Sequence, residues 1–127
     1  SAMIPGEFDR KYVLDQMRAL GLVQACEVMS VGLPNRISYI DLKQSLSHVI
    51  QEAEVIFKNE PEEVLISAIL ITSNVPNSSY RLGKSRVFFR PGYMAKLEQH
   101  IRSITSGEKR DEMLDGMRRI KLLREEM

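Results

Sequence analysis

The spacing of hydrophobic residues changes several times along this chain, and each change predicts the boundary of a secondary-structure element. Residues 40–57 place apolar side chains every three or four positions, which is the pattern of an amphipathic helix. The apolar positions are Leu42, Leu46, Val49, Ile50, Ala53 and Phe57. Pro61 begins a second helix, because Glu62 and Glu63 behind it suit the positive end of a helix dipole. That helix is predicted to end near Thr72.

Strand-forming residues occupy two further stretches. Residues 35–39 predict one short strand, and residues 80–89 are rich in aromatic and β-branched residues. The tripeptide Gly83-Lys84-Ser85 interrupts the second stretch, where we expect a hairpin turn with Gly83 at positive φ. The three strands are predicted to form one antiparallel sheet.

A helix is predicted directly after this sheet. Pro91 lacks the N–H that a strand ladder needs, so Pro91-Gly92 ends the strand and begins the helix. Residues 93–127 are dense in helix formers, with a kink expected near Gly107. The predicted fold class is α+β: a small three-stranded antiparallel sheet packed by two helices, with a long C-terminal helix.

The N-terminal part predicts short helical pieces. Apolar residues between positions 8 and 31 form two clusters, separated at Gly21, where a hinge is possible. Ser1-Ala2-Met3 resembles the remnant of a protease cleavage, so residues 1–7 are expected to be a remnant without a function.

Composition excludes several classes of protein. The 127 residues are 43% hydrophobic, which predicts one compact domain plus an extension. The formal net charge of +1 gives no strong positive field of the kind that a nucleic-acid-binding protein carries. No apolar run approaches the roughly 20 residues of a membrane span. The single Cys26 fits a reducing compartment, so a cytoplasmic location is expected. Phe88 and Phe89 could stack on bases beside the nearby arginines, but strand alternation turns at least one of them inward.

No catalytic or metal-binding pattern occurs in the sequence. Lys84-Ser85 follows one glycine, but the earlier glycine of a P-loop is absent. His48 and His100 lie far apart and are interpreted as ordinary helix residues rather than as metal ligands. We therefore expect no catalytic residue, metal or cofactor in this chain.

Residues 83–98, GKSRVFFRPGYMAKLE, carry a specific resemblance. They resemble the end of the converter and the start of the lever arm in myosin motors, whose usual form is G-K-[ST]-K-V-F-F-R-x-G followed by Leu-Glu. Arg86 replaces the second lysine of that pattern and keeps its charge.

A second resemblance lies upstream and in the order expected for this family. Residues 14–36, LDQMRALGLVQACEVMSVGLPNR, resemble the myosin stretch that carries the two reactive-thiol helices and leads into the converter. The matching positions are Gln16, Arg18, Gly21, Gly32, Pro34 and Arg36. The two thiol positions fall on Ala19 and Met29, so thiol reactivity is not carried over.

The resemblance implies a division of the chain and a mechanical function. Residues 8–33 would be the thiol-helix segment, residues 34–91 the converter, and residues 92–127 the lever-arm helix, which would extend roughly 50 Å at 1.5 Å per residue. The implied hinges are Gly21, Gly32 and Gly92, and the implied converter anchor is Arg36, Gly83, Lys84, Phe88, Phe89 and Arg90. The parent motor, associated with the cytoskeleton, would use Mg-ATP and actin, and this segment would turn its rearrangements into lever-arm rotation.

The resemblance also implies a calmodulin-like light chain as a partner, beside the rest of the motor domain. Residues 113–127 hold a degenerate form of the light-chain motif I-Q-x-x-x-R-G-x-x-x-R, without its Gln and Gly. The implied light-chain-binding residues are Met113, Leu114, Met117, Arg118, Arg119, Ile120, Leu123 and Arg124. The alternative is a free-standing α+β adaptor that binds a partner through its C-terminal helix, with no motor upstream.

Overall fold

The structure is a computed structural model that describes Lys11 and residues 33–126. Its elements follow in the order β1 (Asn35–Ser38), α1 (Tyr39–Ser45), α2 (Ile50–Ile56), α3 (Glu62–Thr72), β2 (Tyr80–Leu82), β3 (Arg86–Phe89), α4 (Tyr93–Ser103) and α5 (Gly107–Glu126). A 3-10 turn at Asn77–Ser79 leads into β2. The α+β fold class predicted from the sequence is confirmed.

The sheet has its last strand in the middle. Both β1 and β2 pair antiparallel with β3, which gives the order β1-β3-β2. Val87 and Phe89 on β3 are 0% exposed, because alternate residues of a strand point to the same face and this face meets the helices. The predicted hairpin and the predicted third strand are therefore both present.

The helix predicted over residues 40–57 is wrong at its centre, where the chain forms two helices instead of one. Turns at residues 46–49 separate α1 from α2. The Ser45 hydroxyl donates to the Leu42 carbonyl at 2.6 Å, and a serine bonded to its own helix backbone competes with regular helical hydrogen bonds. The apolar positions keep their predicted burial, since Leu42, Leu46 and Ala53 are all 0% exposed.

Helix α3 forms the centre of the molecule. Residues 64–71 are all buried, so this helix is covered on every side and shows no polar face. The sheet, the other helices and α3 share one hydrophobic core.

The predicted long C-terminal helix is present as α5, but it begins only at Gly107, because residues 93–126 form two helices with a break beside the predicted kink. Ile104 leaves helical geometry, with φ −82° and ψ 77°, and so ends α4. The Ser106 hydroxyl accepts the Lys109 N–H at 3.2 Å, which is an N-cap for a new helix. Helix α5 then packs on α2 and α3 instead of continuing the line of α4. A single straight helix of roughly 50 Å is therefore not formed, because Ile104 separates α4 from α5, and the 20 residues of α5 alone rise about 30 Å.

No helix within the described residues is long and apolar enough to cross a membrane.

Candidate functional site

The outward face of the sheet carries an aromatic ring between cationic side chains. Strand register places Phe88 on β3 directly opposite Arg36 on β1 and Arg81 on β2. Phe88 is half-buried, whereas Arg36, Arg81 and Arg86 are exposed. None of the ion pairs among the described residues involves these arginines. We refer to Arg36, Arg81, Arg86 and Phe88 as the arginine–phenylalanine face, which could receive a partner that offers carboxylates around an apolar group.

The hairpin turn behind this face needs a glycine for a different reason than predicted. Gly83 does not lie at positive φ, so that expectation is wrong. A Cβ there would lie 3.0 Å from Cε2 of Phe88 and 3.3 Å from the carbonyl oxygen of Arg86. The Gly83 N–H also donates to that carbonyl at 2.8 Å. Gly83 therefore lets the backbone approach the ring of Phe88, while Lys84 is exposed at the tip of the turn.

Tyr39 is hydrogen-bonded to the backbone of the hairpin turn. Its N–H donates to the Ser85 carbonyl at 2.9 Å, and its hydroxyl donates to the Gly83 carbonyl. Burial, and then the carboxylates of Glu63 and Glu62, raise the pKa of Tyr39 above its ordinary value. The hydroxyl therefore stays protonated and keeps donating. Tyr39 is not among the site residues predicted from the sequence, although its place at the end of the predicted strand 35–39 and at the start of α1 was a usable signal.

The joint between β3 and α4 is a tight, bonded turn. Arg90 donates its N–H to Ser79 O and its Nε to Ser78 O, each at 2.9 Å. The Tyr93 N–H then donates to the Arg90 carbonyl at 3.2 Å, and Gly92 lies at φ 88° and ψ −21°. These dihedral angles and this hydrogen bond are those of a type II turn, which favours Pro at its second position and Gly at its third. The hinge role of Gly92 stays a prediction.

Phe89 and Leu97 connect the two sides of this joint. Phe89, at the end of β3, and Leu97, in α4, are both 0% exposed and belong to the same core. The sheet and α4 are thus linked by a short turn and also by shared packing.

The apolar stripe of α5 is buried against its own chain. We define the stripe as Met113, Leu114, Met117, Ile120 and Leu123, none of which is more than 5% exposed. In this structure α2 and α3 cover the stripe. Burying one such side chain contributes about 1.5–3 kcal/mol, so an uncovered stripe would be strongly disfavoured.

The cations predicted beside this stripe lie at its edge. Arg118 and Arg119 are exposed, and Arg118 pairs with Asp115 at 2.8 Å. Arg124 places Nε 2.5 Å from the carboxylate of Glu60, as an ion pair without a hydrogen bond. Light-chain binding stays a prediction, and it would require α5 to leave α2 and α3.

Ion pairs hold α5 near both of its ends. Arg110 donates its Nε to the His48 carbonyl at 2.9 Å and pairs with Glu52. Near the other end, Lys121 lies 3.8 Å from the carboxylate of Glu60. Arg110 thus contacts the start of α2, and Lys121 contacts Glu60, which follows the end of α2. Helix α5 therefore runs parallel to α2. These contacts were not predicted from the sequence, because no local pattern pairs charges that lie so far apart along the chain.

Some predictions fall outside the described residues. Gly21, Gly32 and the whole reactive-thiol segment except Lys11 and Leu33 are among them, as are residues 1–7. Within the described part of the chain, no group of three or more His, Cys, Asp or Glu side chains could hold a metal ion.

Comparison with known proteins identifies relatives of this chain. Residues 1–90 match the family described as Myosin head (motor domain). Unconventional myosin-Vc of Homo sapiens is 30% identical over 98 residues, which are 76% of this chain and 5% of that relative. The chain therefore spans only a small part of the length of this relative. No solved structure matches the chain.

Proposed function

Because this chain belongs to the myosin head (motor domain) family, we propose that it is the converter of an actin-based motor together with the start of its lever arm. In that function the segment carries out no chemistry itself. Rearrangements elsewhere in the motor rotate the sheet, and the helices that follow the sheet turn with it into a stroke along actin.

The observation that carries this proposal is the joint between β3 and α4. The central strand of the sheet enters α4 through the type II turn at Gly92, and Phe89 and Leu97 pack in one core on either side. A rotation of the sheet would therefore pass to the helices with little loss, since close-packed interiors transmit displacement rather than absorb it.

The arginine–phenylalanine face is the surface through which we propose that the rest of the motor domain moves the sheet. Its three exposed arginines surround a half-buried ring, and the described residues supply no carboxylate to them. A partner surface with carboxylates could bind each arginine in a defined orientation. Arg36 and Phe88 are the anchor residues in this proposal, with Gly83 supporting the ring from behind.

The other partners and ligands of the parent protein are part of the same proposal. The motor upstream would bind Mg-ATP and actin and would be associated with the cytoskeleton in the cytoplasm. A calmodulin-like light chain would be a further partner, and it would bind α5 only after this helix has left α2 and α3.

Charge reversal on the sheet face tests the proposed function in the complete motor. With Arg36→Glu, we expect the actin-activated ATPase rate to persist, while the gliding velocity of actin filaments falls severalfold. Reversing the exposed Arg102 on α4 is the matched control, since it changes the same charge away from the sheet. Gliding at the unmodified velocity with Arg36→Glu would contradict the proposal.

A further inference from the structure

The stripe of α5 has two competing uses. It now fills the core against α2 and α3, with Met117 and Ile120 at 0% exposure. The same side chains would have to enter the groove of any external protein that binds α5 as an amphipathic helix. One set of side chains cannot be buried in two places at once, so docking on α2 and α3 excludes such a partner.

The contact between α5 and α3 is close enough to be sensitive to a single methyl group. A Cβ on Gly116 would lie 3.0 Å from Cγ2 of Thr72. Thr72 is half-buried near the end of α3. A larger residue at position 72 would therefore push α5 away without altering the sequence of α5.

Glu60 meets the most basic part of α5. Residues 117–124 contain four cations and no acid. Two of these cations, Lys121 and Arg124, lie 3.8 and 2.5 Å from the carboxylate of Glu60, whose side chain is only 15% exposed. The body of the domain thus offers α5 what an acidic helix-binding protein would offer, namely an apolar surface and a carboxylate beside it.

We propose that α5 is an intramolecular strap that withholds its apolar stripe from an acidic, calmodulin-like helix-binding protein. The strap is docked on α2 and α3 when no partner is present, and the partner binds only the fraction of molecules in which α5 has left them. This inference rests on the light-chain partner of the proposed function. It adds that the domain itself sets the apparent affinity, since that affinity falls in proportion to the released fraction.

Variants on the body of the domain test the strap, because they leave the partner's target sequence unchanged. Glu60→Gln removes the charge that faces Lys121 and Arg124, and Thr72→Leu crowds Gly116. Glu62→Gln is the matched control, since it is the same chemical change two positions away and, among the ion pairs of the described residues, removes the one with Lys43. Calmodulin, with and without calcium, is the titrant, and the intact chain is the protein in every arm.

We expect calmodulin to bind Glu60→Gln about fivefold more tightly than the unmodified chain, and Thr72→Leu tenfold or more. The Glu62→Gln control should bind like the unmodified chain. Amide exchange of residues 113–123 should accelerate in Glu60→Gln and Thr72→Leu, while the amides of β3 stay protected. Equal affinities in all four proteins would overturn the strap.

The experiment distinguishes an error in the docked state of α5 from an error in the class of partner. A variant whose α5 amides exchange rapidly, with β3 still protected, but which binds no calmodulin would overturn the inference through its partner. Rapid exchange of these amides in the unmodified chain would also overturn the inference, because α5 would then not be docked on α2 and α3. Neither result bears on the rotation of the sheet, which the gliding assay with Arg36→Glu measures separately.

Discussion

Exchanging a methyl group between Gly116 and Thr72 measures how tightly α5 is packed on α3. In an open helix, Gly116→Ala would stabilise the protein by about 1 kcal/mol, because alanine is the better helix former. Here the new Cβ lies 3.0 Å from Cγ2 of Thr72, closer than the 3.5–4.0 Å at which two carbon atoms attract each other. Overpacking of this kind costs about 1–3 kcal/mol. We therefore expect Gly116→Ala to leave stability unchanged or to lower it by up to about 2 kcal/mol.

Without the methyl group of Thr72, the change Gly116→Ala should stabilise the protein instead of destabilising it. Thr72→Ser deletes Cγ2 but keeps the hydroxyl that donates to the carbonyls of Ala68 and Ile69 at 2.8 and 3.1 Å. That single change should cost about 1 kcal/mol, the usual loss for one buried carbon. In the double variant the Cβ at position 116 fits, and the gain in helix propensity returns. The coupling between the two changes should be about 1–3 kcal/mol in favour of the pair.

Urea unfolding of the unmodified chain, the two single variants and the double variant gives this coupling directly. Gly107→Ala is the control for helix propensity in the same helix, because no atom lies within 4 Å of its Cβ. Combined with Thr72→Ser, it should be additive. Additivity of Gly116→Ala with Thr72→Ser would refute the close contact, and with it the docked position of α5.

Three further predictions concern the turns and one histidine. Gly83→Val should lower the melting temperature, because the added Cβ would meet the ring of Phe88 and the carbonyl of Arg86. Ser85→Ala, at an exposed position of the same turn, should change the melting temperature little. Equal melting curves for Gly83→Val and the unmodified chain would contradict this. Gly92→Ala should destabilise by about 1–2 kcal/mol in urea unfolding from its positive φ alone, since no atom lies within 4 Å of the new Cβ, and an unchanged midpoint would refute that conformation. Burial, and then the charge of Lys109, lower the pKa of His100 below its ordinary value of 6.5. The unfolded state therefore binds the proton at a higher pH than the folded state, and stability should fall as the pH drops below 6.5. His100→Gln should flatten the dependence of stability on pH, and an unchanged slope would show that His100 does not cause it.

Local sequence signals were sufficient to predict the sheet and the point at which β3 ends. Strand-forming residues around Gly83 predicted the hairpin, and Pro91-Gly92 predicted the end of β3, because both depend on the conformations that a few neighbouring residues allow. The reason for Gly83 was not accessible in this way. The close approach of Phe88 depends on how the hairpin twists, which no local pattern records.

The position of α5 could not be predicted from the sequence. An amphipathic helix shows the same periodicity whether its stripe faces an external partner or its own chain, so Met117 and Ile120 fitted both interpretations. The break at residues 104–106 was predicted as a kink, but the direction after it depends on distant contacts. Arg110 with Glu52 and Arg124 with Glu60 join residues more than 50 positions apart, and these contacts exist only once the core has formed.

The orientation of α5 during the ATP cycle tests the proposed mechanical function most directly. Glu112 and Arg119 are both exposed and lie two turns apart on α5, so a bifunctional fluorophore joining cysteines at these positions would follow the helix axis. In the complete motor, with its other reactive cysteines replaced, polarised fluorescence from single molecules on actin should switch between two orientations as Mg-ATP is turned over. A fluorophore orientation that stays constant while the motor hydrolyses ATP and moves along actin would contradict the account.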